Sequence, residues 1–313
     1  MKNILCFIVP CYNEEAAIEN TFICLKKKLS QLIDSGKISG ESKILFVDDG
    51  SSDGTWALLS KFYEENSSVC AVKLSNNTGH QNALIAGLSE ANRFADFTVS
   101  IDADLQDDLE AVDSFVNKYL EGFDVVYGVR KGRSTDSFFK RFTAETFYKL
   151  FRFLGAKAVF NHADFRLMSK RATEAVLQCR EVNLVLRGIV PFVGFRSAVV
   201  EYERRSRQQG ETKYTFTKMF SLAVNAITSF STAPLYLLLY AGVLSSLLSL
   251  VGLIVYLIMF RGNYDIMWFI LISVWICFGM IMTGLGILGV YLGKTYEEAK
   301  GRPRYFVESR LFK

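Results

Sequence analysis

Two long apolar runs that contain no charged residue lie in the C-terminal third of this 313-residue chain. They cover residues 219–260 and 266–293, and each exceeds the roughly 20 residues that a helix needs to cross a bilayer. The link between them, residues 261–265, is long enough only for a tight hairpin. Residues before 218 have the charge density of a soluble domain. The sequence therefore predicts a soluble N-terminal domain followed by a two-helix transmembrane hairpin.

The charge pattern around these runs predicts their orientation. Bases lie on both outer flanks and only Arg261 lies in the hairpin, so both termini are expected in the cytoplasm. The apolar run 4–9 is too short for a signal peptide. Four segments are predicted: a soluble domain over 1–215, an interfacial lead-in helix over 216–232, two transmembrane helices over 233–293 and a basic cytoplasmic tail over 294–313.

The net charge and the cysteine pattern limit the classes of binding partner and the oxidation state of the thiols. The net charge of +4 is mild and the chain has no nucleic-acid motif, so no nucleic acid partner is predicted. The six cysteines form no C-x-x-C pair and are expected to be reduced thiols. His80 and His162 have no third zinc ligand at a suitable spacing, so a zinc site is not predicted. His80 is expected to be a loop residue that makes simple hydrogen bonds.

Short apolar runs alternate with polar loops and amphipathic helices in the N-terminal domain. This alternation is typical of a mostly parallel α/β sheet with helices on both faces. Ligands of such sheets bind beyond the carboxyl ends of the strands. Polar clusters follow the predicted strands at residues 12–14, 48–49, 79–81 and 102–106. We expect these clusters to converge on one edge of the sheet.

The cluster at 102–106 has the composition of a metal site. Asp102 and Asp104 follow an apolar strand, one residue apart, and Gln106 comes next. Such oxygen donors suit Mg²⁺ or Mn²⁺, which also take phosphate oxygens. A D-x-D pair by itself is often only a turn. Together with the other clusters, it predicts a site for the diphosphate of a nucleotide-sugar.

Four motifs occur in order along the chain: Ile8-Val9-Pro10-x-Tyr12-Asn13-Glu14, Val47-Asp48-Asp49-Gly50-Ser51-x-Asp53-Gly54-Thr55, Asp102-Ala103-Asp104-Leu105-Gln106 and Arg207-x-x-Gly210-x-Thr212-Lys213. With these motifs the chain resembles the polyprenyl-phosphate glycosyltransferases of glycosyltransferase family 2, which have the Rossmann-like GT-A fold. The resemblance implies transfer of a hexose, glucose above all, from a UDP-sugar to undecaprenyl phosphate. It further implies Mg²⁺ or Mn²⁺, a bacterial plasma membrane location, a role in cell-envelope glycan modification and a homotetramer. In-line attack on the donor predicts inversion at the anomeric carbon.

The resemblance also assigns residues to roles. The nucleotide-sugar site would comprise Pro10, Tyr12, Glu14, Val47, Asp49, Asp102 and Ala103. The metal ligands would be Asp104 and Gln106, and phosphate or acceptor contacts would come from Arg130, Arg141, Arg207 and Lys213. Asp102, Asp104 and Asp164 would form the catalytic set. A phosphate monoester, with a second pKa of about 6, is largely a dianion at neutral pH. We therefore expect Asp164 to orient the acceptor or the sugar, with a base role as the alternative.

Two other classes of function compete with this interpretation. A processive polysaccharide synthase would share the donor site, but it needs a Q-x-x-R-W motif and more membrane spans, and the chain has neither. A non-enzymatic membrane scaffold with a degenerate GT-A domain is the second alternative, and the complete motifs argue against it. The aromatic and basic segment 137–154 suits either a helix in a headgroup layer or an amphipathic core helix.

Overall fold

The computed structural model describes residues 3–131, 162–179, 181, 186–203, 233–259 and 266–313. The predicted lead-in helix 216–232 and the whole of segment 137–154 lie outside these residues. The described residues divide into two compact units, one with a sheet and one with two long helices. The strands are β1 (Leu5–Cys11), β2 (Lys43–Asp48), β3 (Val69–Leu74), β4 (Phe97–Ser100), β5 (Val125–Arg130), β6 (His162–Ser169), β7 (Ser197–Tyr202) and β8 (Val307–Leu311). The helices are α1 (Ile18–Asp34), α2 (Thr55–Glu65), α3 (His80–Ala91), α4 (Ala111–Leu120), α5 (Lys170–Gln178), α6 (Leu186–Phe192), α7 (Ala233–Met259) and α8 (Ile266–Lys300).

The first unit confirms the predicted mostly parallel α/β architecture. Its sheet has the order β7-β5-β6-β4-β1-β2-β3-β8. The strands β4, β1, β2 and β3 run parallel to one another, as do β5 and β7. The strand β6 is antiparallel to both of its neighbours. Because the central strands are parallel, their carboxyl ends meet at one edge of the sheet.

Both faces of the sheet are covered, which explains the unbroken apolar composition of its central strands. Along β1, the side chains of Leu5, Phe7 and Val9 enter one core and those of Cys6 and Ile8 enter the other. Helices α1, α2 and α4 contribute to the first core, and α3, α5 and α6 contribute to the second. The buried face of α1 includes Ile18, Phe22, Leu25, Leu29 and Leu32, whose helical spacing in the sequence predicts one apolar face.

The C-terminal residues return to the sheet. Residues 294–313 were predicted to form a basic tail, but residues up to 300 continue α8, and β8 pairs antiparallel with β3. Arg310 reaches the buried Glu90 of α3 at 3.0 Å, and Tyr63 donates to the carbonyl oxygen of Phe312 at 3.0 Å. The alternation of charged and apolar residues in 307–311 suits an edge strand with one covered face. The many basic residues nearby favoured the prediction of a tail over that of a strand.

We expect Arg310→Ala to destabilise the first unit more than Glu308→Ala does. Glu90 is almost fully buried and accepts from Arg310, with Arg93 at 3.2 Å as its other partner. Losing a hydrogen bond to a buried charge costs about 1.5–3 kcal/mol. Glu308 forms a more exposed pair with Lys73 at 2.9 Å, which contributes about 0–1 kcal/mol. Denaturant unfolding of the two variants measures the difference, and equal losses would contradict the assigned role of Glu90.

The second unit contains α7 and α8, which lie where the transmembrane hairpin was predicted. Within the described residues, only Ser273–Lys300 is a helical segment long and apolar enough to cross a membrane, with a mean hydropathy of 1.9. The two-helix hairpin is therefore not confirmed. It stays a prediction.

Candidate active site

The candidate site lies beyond the ends of β1, β2 and β4, next to the start of α3. Asp49 follows β2 and Asp102 follows β4 by two residues. Ser100 of β4 pairs with Arg166 of the antiparallel strand β6, and the Ser100 hydroxyl donates to the carbonyl oxygen of Asp164 at 3.0 Å. This register carries Asp164 to the same end of the sheet as Asp102.

The polar loops at this edge hold one another in place. Asp49 accepts from the backbone N–H groups of Thr78 and Gly79 at 2.8 and 2.9 Å. Gly79 has φ of +89°, a conformation that favours glycine, and His80 follows as the first residue of α3. The side chain of Asn13 accepts from the backbone N–H of Ser52 at 2.9 Å. The clusters at 12–14, 48–49, 79–81 and 102–106 therefore do meet at one edge.

The D-x-D loop is tightly constrained. Leu105 has φ of 46°, a left-handed conformation that costs a residue with a Cβ about 1–3 kcal/mol. Thr21 of α1 donates to the carbonyl oxygen of the buried Ala103 at 2.5 Å. The side-chain amide of Gln106 donates to Asp104 Oδ2 at 2.6 Å. The loop thus brings together the two side chains that were predicted to bind a metal.

His80 lies between the carboxylates of Asp102 and Asp164. Its Nε2 atom is 3.6 Å from Asp102 Oδ1 and 3.9 Å from Asp164 Oδ2. Burial raises the pKa of Asp102, opposed by His80 and reinforced by the neighbouring carboxylates of Asp107, Asp164 and Asp104. His80, predicted to be a loop residue that makes simple hydrogen bonds, thus lies within 4 Å of two predicted catalytic carboxylates.

Asp164 is held by two arginines. The Arg166 guanidinium donates to Asp164 Oδ1 at 2.6 Å, and Arg187 of α6 donates to Oδ1 at 3.3 Å and to Oδ2 at 3.1 Å. Burial alone would raise the pKa of Asp164, but the charges of Arg166 and Arg187 outweigh it and lower the pKa to about 2. Asp164 is therefore a stable anion and a weak base at neutral pH.

Arg130 is positioned by a buried carboxylate and a phenol. Tyr202 of β7 donates to Asp107 Oδ1 at 2.5 Å, and Arg130 lies 3.3 Å from the Tyr202 hydroxyl and 3.5 Å from Asp107. Burial and the nearby charge of Asp107 raise the pKa of Tyr202, so its hydroxyl keeps the proton that it donates. The predicted phosphate contact Arg130 thus has a fixed orientation.

We expect Tyr202→Phe to loosen Arg130 while it keeps the aromatic packing. The ring of Tyr202 contacts Phe165 edge to face at 5.3 Å, and phenylalanine preserves that contact. Asp107 would lose its phenolic donor, at a cost of about 1–3 kcal/mol in the free energy of unfolding. The measurements are thermal unfolding and the KM for the donor. Tyr119→Phe, in a ring stacked on Phe97 outside the site, is the control, and equal effects of the two variants would contradict the role.

The predicted nucleotide-sugar residues differ in accessibility. Tyr12 is exposed, whereas Pro10 and Val47 are buried. Val47 is in the core, and Ile8 and Val47 are the side chains that a Cβ on Gly87 would meet. The places of Val47 and Pro10 in the nucleotide-sugar site stay predictions. Asp49 already accepts from Thr78 and Gly79. Arg141, Arg207 and Lys213 lie outside the described residues.

The residues of the D-x-D loop fit a divalent cation by their chemistry. Asp104 offers a carboxylate and Gln106 an amide oxygen, and oxygen donors of this kind suit Mg²⁺ or Mn²⁺. The two side chains are adjacent, because the Gln106 Nε2 atom donates to Asp104 Oδ2 at 2.6 Å. No group of three or more His, Cys, Asp or Glu side chains suited to a metal occurs in the described part of the chain. Mg²⁺ commonly uses only one or two carboxylates together with substrate phosphates, so the loop is compatible with it.

Sequence reasoning missed four residues of this site: Asp107, Arg166, Arg187 and Tyr202. One of them had a detectable signal, because Arg166 interrupts the apolar pattern of Phe165, Leu167 and Met168. A charged residue inside a buried strand requires a charged partner. Arg187 and Tyr202 come from distant parts of the chain, and Asp107, although it directly follows Gln106, belongs to none of the motifs.

The chain belongs to glycosyltransferase family 2. The family model, described as "Glycosyl transferase family 2", matches residues 6–177, which contain β1 to β6 and most of the site. Fold and site therefore define a glycosyltransferase with a GT-A domain.

Its relatives align over nearly their whole length. An "Uncharacterized glycosyltransferase YkoT" of Bacillus subtilis (strain 168) is 46% identical, with 99% of this chain and 92% of the relative covered. The "Prophage bactoprenol glucosyl transferase homolog" of Escherichia coli (strain K12) is 37% identical over 96% of this chain and 97% of that protein. The "Bactoprenol glucosyl transferase" of Shigella phage SfX is 36% identical, with 97% and 98% covered.

Proposed function

We propose that this protein transfers a hexose, glucose by analogy with its relatives, from a UDP-sugar to undecaprenyl phosphate. The observation that carries the proposal is the near-complete alignment with relatives named bactoprenol glucosyl transferase. The alignment includes both the sheet with its carboxylate site and the apolar C-terminal helices. A shared donor domain alone would leave the acceptor open, whereas shared membrane segments favour a lipid acceptor.

The donor would bind at the D-x-D edge of the sheet. Asp104 and Gln106 would hold a divalent cation, which would neutralise the departing diphosphate. Arg130, held by Asp107 and Tyr202, would add positive charge there. The distances support this arrangement because Arg130 is oriented before any ligand arrives, and preorganised charge stabilises a transition state more effectively than mobile charge.

The acceptor needs to be held more than it needs to be deprotonated. A lipid monophosphate is largely a dianion at neutral pH. Asp164, with a pKa of about 2, would be a poor proton acceptor but a good fixed anion for orienting sugar hydroxyls. Attack opposite the leaving diphosphate would invert the anomeric carbon and give a β-linked product from an α-linked donor. The homotetramer implied by the family resemblance stays a prediction.

The return of β8 supports a two-span membrane topology. Residues 307–311 pair with β3, so they lie on the same side of a membrane as the sheet. A chain that crosses a bilayer between the two must do so an even number of times, which favours two spans over one. We propose that the sheet and both termini are cytoplasmic. A cysteine at Asn263 should then react with an impermeant thiol reagent only from outside; labelling from the cytoplasmic side would contradict the topology.

The test is transfer of radiolabel from a panel of UDP-hexoses to undecaprenyl phosphate in membranes that contain the full chain. We expect label in the organic phase from one donor with Mg²⁺ or Mn²⁺, and none with EDTA. A lipid product from UDP-glucose that mild acid cleaves and mild base leaves intact would identify both the class and the sugar. If no donor labels the lipid while the purified protein still binds UDP, the acceptor assignment is wrong and the proposed function fails. Label in a polymer would favour the processive synthase.

A further inference from the structure

Helix α1 buries two polar side chains on its otherwise apolar inner face, Thr21 and Lys28. They lie seven residues apart, or about two helical turns, so they point to the same side of the helix. Lys28 donates to Glu110 at 2.8 Å and to Asp113 at 2.7 Å, which ties α1 to the start of α4. These contacts account for the burial of Lys28, whereas those of Thr21 lead into the candidate site.

The Thr21 hydroxyl serves the D-x-D loop rather than its own helix. Its oxygen is 2.5 Å from the carbonyl oxygen of Ala103 and 3.1 Å from that of Ala17. A hydroxyl has one proton to donate, and the shorter distance favours Ala103. The Ala17 carbonyl oxygen also accepts from the backbone N–H of Thr21 at 3.1 Å. The hydroxyl proton therefore belongs to the hydrogen bond with the loop.

Holding the Ala103 carbonyl group also constrains Asp104. The peptide unit that joins the two residues is planar, and it contains the carbonyl group of Ala103 together with the nitrogen and the Cα atom of Asp104. Thr21 and Ala103 are 1% and 5% exposed, so a lost hydrogen bond would leave a buried carbonyl oxygen without its donor, which is costly. Thr21 thus constrains the backbone from which the predicted metal ligand Asp104 projects.

Other elements hold the two ends of the same loop. Before it, the backbone N–H of Ile101 donates to a carbonyl oxygen of β1 at 3.0 Å. After it, Asp107 accepts from Tyr202 of β7 at 2.5 Å. The left-handed Leu105 lies between these anchors, and its backbone strain favours relaxation of the loop. Thr21 acts on the same middle part, so its loss would loosen the loop while the sheet stays intact.

We propose that Thr21 is a positioning residue that holds the D-x-D loop in the conformation that binds a divalent cation. It acts through Ala103 and touches neither the cation nor the substrate. This inference rests on the proposed function, which assigns the cation to Asp104 and Gln106, and it adds the residue that prepares those ligands. Ligands that are held in place before the cation arrives lose less conformational freedom when it binds.

The experiment measures binding of Mn²⁺ to the full chain in detergent with UDP present, from the fall in the electron paramagnetic resonance signal of free Mn²⁺. Thr21→Val keeps the shape of the side chain and removes the hydroxyl. We expect it to weaken Mn²⁺ binding by about tenfold or more, as is typical when an outer-shell partner of a metal ligand is lost. Thr21→Ser keeps the hydroxyl and should retain most of the affinity.

A second measurement is the dependence of sugar transfer on Mg²⁺. In Thr21→Val, the Mg²⁺ concentration that gives half the maximal rate should rise by the same factor as the Mn²⁺ dissociation constant. The rate at saturating Mg²⁺ should stay near that of wild type, because the cation then restores the loop conformation. A general loss of folded protein would instead lower the rate at every Mg²⁺ concentration.

The matched control is Thr98→Val. Thr98 is a buried threonine of β4, the strand that leads into the loop, and its hydroxyl donates to the carbonyl oxygen of Met168 at 3.5 Å. This variant should keep the Mn²⁺ affinity of wild type, which separates the contact with the loop from the loss of any buried hydroxyl. Circular dichroism checks the fold of each variant. If Thr21→Val does not fold, Thr21→Ala makes the same test with a smaller side chain.

An unchanged Mn²⁺ affinity in the folded Thr21→Val or Thr21→Ala variant would overturn the inference. Equal losses in Thr21→Val and Thr98→Val would do so too, as would a wild type that binds no Mn²⁺. The proposed function fails in a different way, if wild type binds Mn²⁺ but labels no lipid with any UDP-hexose. The Mn²⁺ titrations would then still decide the role of Thr21.

Discussion

Replacing Asp104 with asparagine is expected to lower the rate of sugar transfer by roughly a hundredfold to a thousandfold, the range for removing one key electrostatic contact from an active site. The variant keeps the shape of the side chain and can still accept the hydrogen bond from Gln106 that now spans 2.6 Å. The loop should therefore stay folded. What is lost is the negative charge that would help to hold a divalent cation next to the diphosphate.

The measurement is the initial rate of label transfer at several Mg²⁺ concentrations, together with a thermal unfolding curve. Raising Mg²⁺ should restore part of the activity, because asparagine still offers one oxygen donor. Asp34→Asn, at an exposed position near the end of α1, removes the same charge far from the loop and should leave the rate unchanged. Full activity in Asp104→Asn would exclude the D-x-D loop from catalysis.

Replacing Asp164 with asparagine is expected to abolish most transfer and to destabilise the first unit. Arg166 is almost fully buried, and without its anionic partner it becomes an uncompensated charge, at a cost of about 3 kcal/mol. For a domain of this size, that corresponds to a fall in melting temperature of roughly 6–12 °C. Circular dichroism during heating measures the change.

A double variant separates the two roles of Asp164. Adding Arg166→Met to Asp164→Asn removes the buried charge, so stability should recover by more than half, whereas transfer should remain lost. The pH dependence of wild type offers a second check. The pKa of Asp164 in the folded protein is about 2, below its unfolded value of about 3.9. Its contribution to stability is therefore present above about pH 4 and is lost as the pH falls towards 2. Recovery of activity in the double variant would contradict the assigned role.

Local periodicity was enough to predict the central part of the fold. The apolar run at 69–74 forms the strand β3. Ile18, Phe22 and Leu25, which recur at helical spacing, lie on the buried face of α1. These features could be predicted because each depends on neighbours within a few residues. The convergence of the polar loops followed from the rule that parallel strands end at one edge.

Features that depend on distant pairs were not predictable in the same way. Arg187 meets Asp164 across 23 residues, and Tyr202 meets Asp107 across 95. The pairing of β8 with β3 joins residues more than 230 positions apart. No periodicity encodes such pairs, because they arise only once the sheet order is set.

The position of β8 after α8 in the chain imposes an order on biosynthesis. A ribosome completes β1 to β7 and both apolar helices before it reaches residues 307–311, so until then β3 forms an open edge of the sheet. Open edges recruit other strands and promote aggregation. The sheet can therefore be closed only after both apolar helices have been synthesised. Under the proposed two-span topology, the chain must also have crossed the membrane twice by then. A nascent chain that inserts with the wrong topology would leave that edge uncovered, a defect that chaperones and proteases recognise.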